Sequence, residues 1–126
     1  MRILLVDDDV FSAELASVFL GMNGYEVVIV ASAIEALSCL DGNEEIDLVV
    51  SDLHMPDISG LELLEMLRGH GWDKPFIILS ANEIADCPVH YDRWVKKDEN
   101  LAETLVAAVN DIAQPESFVG KPVAPI

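Results

Sequence analysis

Acidic residues close two apolar runs of this chain, where they could act together on a cation or a phosphoryl group. Asp7 and Asp8 follow the run Arg2–Val6, and Asp52 follows the run that ends at Ser51. Carboxylates that crowd together repel one another unless a cation neutralises them. Oxygen ligands of this kind suit Mg²⁺, and a carboxylate can also act as a nucleophile towards phosphorus.

Two donor side chains close later apolar runs. Ser80 follows Pro75–Leu79, and Lys96 follows Tyr91–Val95. A hydroxyl and an ammonium group can supply the positive charge and the hydrogen bonds that phosphoryl transfer needs. We interpret the neighbouring Lys97 as a solvated surface lysine.

The apolar runs alternate with helical patterns, which predicts an α/β fold. Five strands are expected, at Arg2–Val6, Glu26–Ala31, Ile46–Ser51, Pro75–Leu79 and Tyr91–Val95. Because these runs are apolar on both faces, the sheet should be parallel and covered by helices on both sides. We predict a doubly wound, five-stranded, flavodoxin-like sheet of order 2-1-3-4-5, which brings the polar strand ends to one edge.

The helical patterns have recognisable beginnings and ends. A first helix is expected over Val10–Asn23, with Asp9 as its cap and with an apolar face of Phe11, Leu15, Val18, Phe19 and Met22. Capping boxes at Ser32–Glu35 and Ser59–Glu62 open the second and third helices, and Leu61, Leu63, Leu64, Met66 and Leu67 of the third should be core. Asp98 caps a last helix with an apolar stripe of Leu101, Leu105, Ala108 and Ile112. Few residues lie between Ser80 and Lys96, so the fourth helix should be shortened or absent, with a turn or loop at Asn82–Cys87.

Composition excludes several classes of function. The net charge is −16, with seven basic residues against 23 acidic ones, so the chain should not itself bind nucleic acid or an anionic membrane. No apolar run approaches the ~18 residues of a spanning helix. The two cysteines have no C-x-x-C spacing, which favours a reducing, cytoplasmic location. We expect one domain over residues 1–113 and a flexible tail or linker over residues 114–126.

Over about Met1 to Ile112, the chain resembles the receiver domain of two-component response regulators. The matching motifs are the acidic pair in Val6-Asp7-Asp8, the phosphoacceptor block Ser51-Asp52-Leu53-His54-Met55-Pro56-Asp57 with Gly60, the pair Ser80-Ala81, and Lys96 after the fifth strand. The resemblance implies that Asp52 accepts a phosphoryl group from the phosphohistidine of a histidine kinase. It also implies a Mg²⁺ site made by Asp7, Asp8, Asp52 and the backbone carbonyl of His54, with Ser80 and Lys96 on the phosphate.

The resemblance further implies residues that modulate the switch. The His54 side chain would border the phosphoryl group and tune its lifetime, and Ala81 is a switch position. The family carries an aromatic residue three positions before the lysine, where this chain has Arg93. The proline that usually follows the lysine is replaced by Lys97. These departures predict a remodelled face at the fourth helix and fifth strand.

The predicted function is a phosphoacceptor signalling switch, which assists its own phosphotransfer and dephosphorylation and is not a metabolic enzyme. Its partners would be a sensor histidine kinase or phosphotransfer protein, and an output domain or downstream protein. One alternative is a binding module of the same fold that acts without phosphorylation. Another is a Mg²⁺-dependent phosphohydrolase with an Asp nucleophile, for whose substrate-covering cap 126 residues leave no room.

Overall fold

The computed structural model describes residues 1–42, 45–82 and 91–113, which contain five strands and four helices. The strands are β1 (Arg2–Val6), β2 (Glu26–Val30), β3 (Leu48–Asp52), β4 (Phe76–Ser80) and β5 (Arg93–Lys96). The helices are α1 (Val10–Met22), α2 (Ala33–Asp41), α3 (Gly60–Gly69) and α4 (Leu101–Ala113). No helix of the described ranges is long and apolar enough to span a bilayer.

All strand pairs are parallel, and the order β2-β1-β3-β4-β5 confirms the predicted topology. The register sets the strand ends at one level, since Val6 lies beside Ser51 and Ser80 lies beside Lys96. The predicted turn or loop at Asn82–Cys87 lies, from residue 83 onwards, outside the described residues, as does the predicted tail. Both remain predictions.

Two apolar layers sandwich the sheet. One layer joins β1, β3 and β4 to α1 and α4, and the other joins the opposite strand faces to α2 and α3. Both faces of the central strands are covered, and β3 and β4 are buried at every position. The continuous apolar composition of these strands is explained by this double burial.

Helix α1 buries a different face from the predicted one. Ala13, Ala16 and Leu20 are in the core, whereas most of the large apolar residues point outwards and Phe19 is half-buried. The outward residues are Phe11, Leu15, Val18 and Met22. Small alanine side chains let the helix approach the sheet and α4 closely, and this close packing decides which face is buried. The predicted core role of the large face is therefore wrong.

The predicted caps of the first three helices are present, at Asp9, Ser32 and Ser59, whereas Asp98 lies two residues before the cap position of α4 and accepts a hydrogen bond from the N–H of Asn100. Asp9 accepts a hydrogen bond from the backbone of Ser12, and Ser59 and Glu62 form a complete capping box at the start of α3. In α3, Leu63, Leu64 and Leu67 are buried as predicted, while Leu61 is half-buried and Met66 is 36% exposed. In α4 the core residues are Leu105, Ala108 and Val109, with Leu101 and Ile112 packed at the margin.

Gly60 sits where the start of α3 touches the end of β3. A Cβ atom there would lie 2.5 Å from the backbone oxygen of Asp52 and 3.1 Å from Cα of Leu53. These are backbone atoms that cannot rotate away, so we expect Gly60→Ala to lower the free energy of unfolding by about 1–3 kcal/mol. Gly69→Ala is the matched control, because a Cβ there meets nothing within 4 Å. Equal midpoints of urea unfolding for the two variants would contradict this expectation.

Candidate functional site

The site begins where β1 ends. Asp7 follows the strand directly, and its backbone N–H donates to the carbonyl of Val30 on β2, at 3.1 Å. One carboxylate oxygen of Asp7 accepts from the backbone N–H of Asp9 at 2.9 Å. The side chain is thus fixed in a buried position, with a residue exposure of 2%.

Asp52 is the last residue of β3 and reaches the same edge of the sheet. It is 7% exposed, and its neighbour Leu53 is fixed by a 2.8 Å hydrogen bond from its N–H to the carbonyl of Leu79 on β4. The N–H of Gly60 donates to the carbonyl of Leu53 at 2.9 Å. The backbone around Asp52 is therefore held from two sides, by β4 and by the start of α3.

Three carboxylates converge at this edge. Oxygen atoms of Asp7, Asp8 and Asp52 all lie within 4.8 Å of one another, with Asp8 exposed and the other two buried. A hard cation such as Mg²⁺ prefers one or two carboxylates and keeps several of its waters. An exposed acid beside two buried ones leaves room for those waters, so the residues fit a Mg²⁺ site.

A lysine ammonium group joins two of these acids, and it belongs to Lys97. Its Nζ lies 3.0 Å from Oδ2 of Asp52 and 3.2 Å from Oδ2 of Asp7. The lysine side chain is 24% exposed, whereas those of Asp7 and Asp52 are 1% and 10% exposed. Partial burial weakens screening by water, so this contact is stronger than a surface ion pair.

The assignment of Lys96 to this role is corrected by one residue. Strand β5 runs to Lys96, one residue further than predicted, and the exposed Lys96 is paired with Ser80 in the sheet. Lys97 follows the last strand residue, as Asp7 does on β1, and its N–H donates to the carbonyl of Ser80 at 2.9 Å. The interpretation of Lys97 as a solvated surface lysine is therefore wrong.

Because the site lysine is Lys97 and not Lys96, the position of the family's aromatic residue also moves by one. Three residues before Lys97 stands Trp94, so the family's aromatic residue is present, and the residue after the lysine is Asp98. Arg93 points instead to the outer surface, where it pairs with Asp111 at 3.5 Å. Trp94 is half-buried, and within the described ranges its buried indole N–H has no hydrogen-bond partner. Trp94 was the sequence signal that could have identified Lys97.

The remaining predicted residues lie at or just after the ends of β3 and β4. Ser80 ends β4, is 1% exposed, and its hydroxyl donates to the carbonyl of Asn82 at 2.8 Å. Ala81 follows it and is exposed. His54 is exposed two residues after Asp52. The loop then turns at Asp57, whose φ of 68° lies in the left-handed region that Asn and Asp tolerate.

The pKa values of Asp7 and Lys97 are both raised, but for different physical reasons. Burial raises the pKa of Asp7 above 3.8, and the Asp52 carboxylate adds to this, although the Asp9 N–H and the Lys97 ammonium act against it. Burial lowers the pKa of Lys97, but the hydrogen bond to Asp52 and the charges of Asp7 and Asp52 outweigh this, so the net pKa is raised. Lys97 therefore stays protonated at neutral pH.

We expect Mg²⁺ to raise the unfolding temperature of the wild type and to do so far less in Asp7→Asn. Mg²⁺ at about 100 times its Kd would stabilise the folded protein by about 2.7 kcal/mol. The amide of Asn coordinates Mg²⁺ more weakly than the carboxylate of Asp does. Thermal unfolding followed by circular dichroism measures the difference. Asp73→Asn, an exposed acid before β4, is the control. Equal stabilisation of all three proteins would contradict a Mg²⁺ role for Asp7.

Without the cation, Asp7→Asn should unfold at a higher temperature than the wild type at pH 7. The raised pKa means that ionised Asp7 costs stability in the folded state. That cost is absent below the unfolded pKa and develops as the pH rises through the folded pKa. The gap between variant and wild type should therefore close as the pH falls below about 4. A gap that widens in acid would contradict the burial effect.

Comparisons with known proteins agree with the fold. The family model of the response regulator receiver domain matches residues 3–93. Response regulator MprA of Mycobacterium sp. (strain KMS) is 40% identical over 110 residues, covering 83% of this chain and 47% of the relative. Two-component response regulator ORR22 of Oryza sativa subsp. indica is 43% identical over 83 residues, covering 65% of this chain and 12% of the relative. The chain thus spans about half or less of these relatives.

Solved structures of a response regulator and of a receiver domain have a similar fold. Response regulator TrrA of Thermotoga maritima, in complex with Mg²⁺ and BeF, has a TM-score of 0.77 and 33% identity, covering 88% of this chain and 97% of that one. The receiver domain of the hybrid histidine kinase CckA has a TM-score of 0.76 and 32% identity, covering 90% and 100%.

The fold and site define a doubly wound α/β domain with an acidic cluster at the carboxyl edge of its sheet. The chain belongs to the response regulator receiver domain family of two-component signalling.

Proposed function

We propose that Asp52 accepts a phosphoryl group from the phosphohistidine of a sensor histidine kinase or phosphotransfer protein. The observation that carries this proposal is the ammonium of Lys97, which bonds to Asp52 at 3.0 Å beside two further acids. A buried carboxylate with a fixed cation beside it is suited to attack an anionic phosphoryl group, because the cation offsets the repulsion between them.

In the transfer step, a carboxylate oxygen of Asp52 forms a bond to phosphorus while the N–P bond of the phosphohistidine breaks. The electron pair of that bond stays on the imidazole nitrogen, which takes up a proton. Asp7, Asp8, Asp52 and the backbone carbonyl of His54 would hold Mg²⁺, which neutralises charge on the phosphoryl oxygens when it is bound. Lys97 holds the acceptor in place and contacts the phosphoryl group after transfer.

Ser80 is the second donor in the proposal. Its hydroxyl donates to the carbonyl of Asn82, so contact with a phosphoryl oxygen requires this 2.8 Å bond to break. When the Ser80 bond breaks, Ala81 after β4 and Trp94 on β5 change position in response. The exposed His54 side chain governs the access of water to the acyl phosphate. Slow hydrolysis assisted by the same residues resets the switch.

The partners and boundaries are part of the proposal. Residues 1–113 form the receiver unit, and residues 114–126 serve as a tail or linker. An output domain or a downstream protein binds or responds to the phosphorylated state. The greater length of the relatives supports the proposal of an output domain. We place the reaction in the cytoplasm, in line with the cysteine content, and assign no direct nucleic-acid or membrane contact to this acidic chain.

The test of acceptance is labelling of the wild type by a small phosphodonor such as acetyl phosphate. We expect a labelled protein with Mg²⁺ and none when a chelator removes the cation. Labelling that proceeds equally in both conditions would contradict the proposed site, and no labelling at all would favour the phosphorylation-independent binding module.

The test of switching uses the two tryptophans. Trp94 lies on β5 beside the site, whereas Trp72 precedes β4 at the opposite edge of the sheet. Adding beryllofluoride and Mg²⁺ should shift the indole NH resonance of Trp94 and leave that of Trp72 in place. If both resonances stay fixed while residues at the site shift, the change does not reach the fifth strand.

A further inference from the structure

The outer surface of α1 carries a row of large apolar side chains. Phe11 is 85% exposed, Leu15 and Val18 are each 58% exposed, and Met22 is 75% exposed. Their spacing of four, three and four residues is that of the apolar seam of a coiled coil. We call these four residues the α1 seam. Since α1 already packs on the sheet and on α4 through its alanine face, the seam is not needed for the fold.

The α1 seam also lacks charge, in contrast to the rest of the chain. Glu14 is the one charged residue of α1, in a protein with 23 acidic and seven basic residues. On α1 itself a basic helix would find one acid along 13 residues, and Asp98 and Glu99 border the α1 seam beside Leu15, on the side of α4. An uncharged apolar seam fits a second seam of the same kind.

We propose that a second copy of this chain covers the α1 seam, with the two α1 helices packed antiparallel across a two-fold axis. An axis at the level of the bond between Ala16 and Ser17 places Phe11 against the second copy's Met22, and Leu15 against its Val18. Each pair combines a larger with a smaller or more flexible side chain, and sulfur–aromatic contact is favourable. The interface is self-complementary, as two-fold symmetry requires.

Charge selects the antiparallel arrangement. In the antiparallel register each Glu14 lies opposite Phe19 of the second copy, so the two carboxylates do not meet. A parallel pair would place Glu14 against Glu14 and Phe11 against Phe11. The four residues of each α1 seam are 58–85% exposed. Covering both seams and their flanks would bury an area that approaches the roughly 1,000 Å² of a specific interface. The dimer does not depend on phosphorylation of Asp52.

The net charge gives the dimer a distinctive salt dependence. Two chains of −16 repel each other, while the contact itself is apolar. Added salt screens the repulsion, so self-association should strengthen from low to moderate ionic strength. Docking driven by opposite charges would weaken over the same range.

The experiment is sedimentation equilibrium of the 126-residue wild type, of Leu15→Lys and of Val18→Glu. Each variant alone should associate about a hundredfold more weakly, because symmetry places the altered contact twice in the interface and each loss costs about tenfold. An equimolar mixture should recover heterodimers, since Lys at position 15 then faces Glu at position 18. Ile34→Lys, on an exposed α2 residue, is the control and should dimerise like the wild type.

Several results would overturn the proposal. They are a wild type that stays monomeric at every concentration, a mixture that does not associate, or a dimer that weakens as salt is added. A monomeric wild type whose Leu15→Lys variant loses transfer from a protein phosphodonor would instead assign the α1 seam to the donor. Circular dichroism and labelling by acetyl phosphate verify that each variant is folded, and they test the proposed function separately.

Discussion

Asp52→Asn is expected to abolish phosphoryl acceptance, with no labelled protein from acetyl phosphate and Mg²⁺. The amide is not a nucleophile towards phosphorus under these conditions, although its oxygen can still accept a hydrogen bond from Lys97. The fold should survive, because the change is nearly isosteric at the end of a strand held by β4 and α3. Phosphate-affinity electrophoresis measures the loss.

The control for this variant is Asp57→Asn, five residues further along the same loop. Asp57 is exposed and has a positive φ, which Asn adopts as readily. We expect wild-type labelling of Asp57→Asn. If Asp52→Asn were labelled at a comparable level, the acceptor would be another residue.

Lys97→Ala is expected to slow phosphoryl acceptance by about a hundredfold, while Lys96→Ala leaves the rate within about twofold of the wild type. Removal of one preorganised donor from an active site typically costs this much. Lys97 contacts both Asp52 and Asp7, whereas Lys96 is exposed at the end of β5. The two variants remove the same charge from adjacent positions, so a general charge effect is controlled.

The measurement is a time course of labelling for both variants at one phosphodonor concentration. A slow Lys96→Ala and a normal Lys97→Ala would restore the first assignment and contradict the contacts at the strand end. Lys97→Arg is a further check. It keeps the charge but changes the donor geometry, so its rate should fall between those of wild type and Lys97→Ala.

The sheet and the acids at its edge could be predicted because they depend on local patterns. Continuous apolar runs with helices between them define a parallel sheet, and Asp7, Asp52 and Ser80 each stand at the end of such a run. Parallel topology then brings them together without further information. For Asp52 and Ser80, a boundary error of one position changed nothing, because no residue of the same type was adjacent. For Asp7 it changed nothing because both Asp7 and Asp8 were predicted to belong to the site.

Lys97 could not be found in this way, because two lysines are adjacent and only the true end of β5 separates their roles. Strand boundaries depend on hydrogen bonds to β4, such as the N–H of Lys97 to the carbonyl of Ser80. The apolar pattern does not contain that contact. Trp94 does carry the information, since the family's aromatic residue stands three positions before its lysine.

The exposed face of α1 shows a second limit. Helical spacing identified Phe11, Leu15, Val18 and Met22 as one face, and they do share a face. Hydrophobicity alone assigned that face to the core, whereas alanines at Ala13 and Ala16 permit the closer approach. Which of two apolar faces is buried depends on packing distances that a single helix sequence does not specify.

The most direct test is to locate the phosphoryl group on the labelled wild type. Borohydride reduces an aspartyl phosphate to homoserine, and tandem mass spectrometry of a digest then identifies the residue. We expect homoserine at position 52 and unmodified Asp at positions 7 and 8. Homoserine at position 7 or 8, or label recovered on His54, would contradict the assignment of Asp52 as the phosphoacceptor.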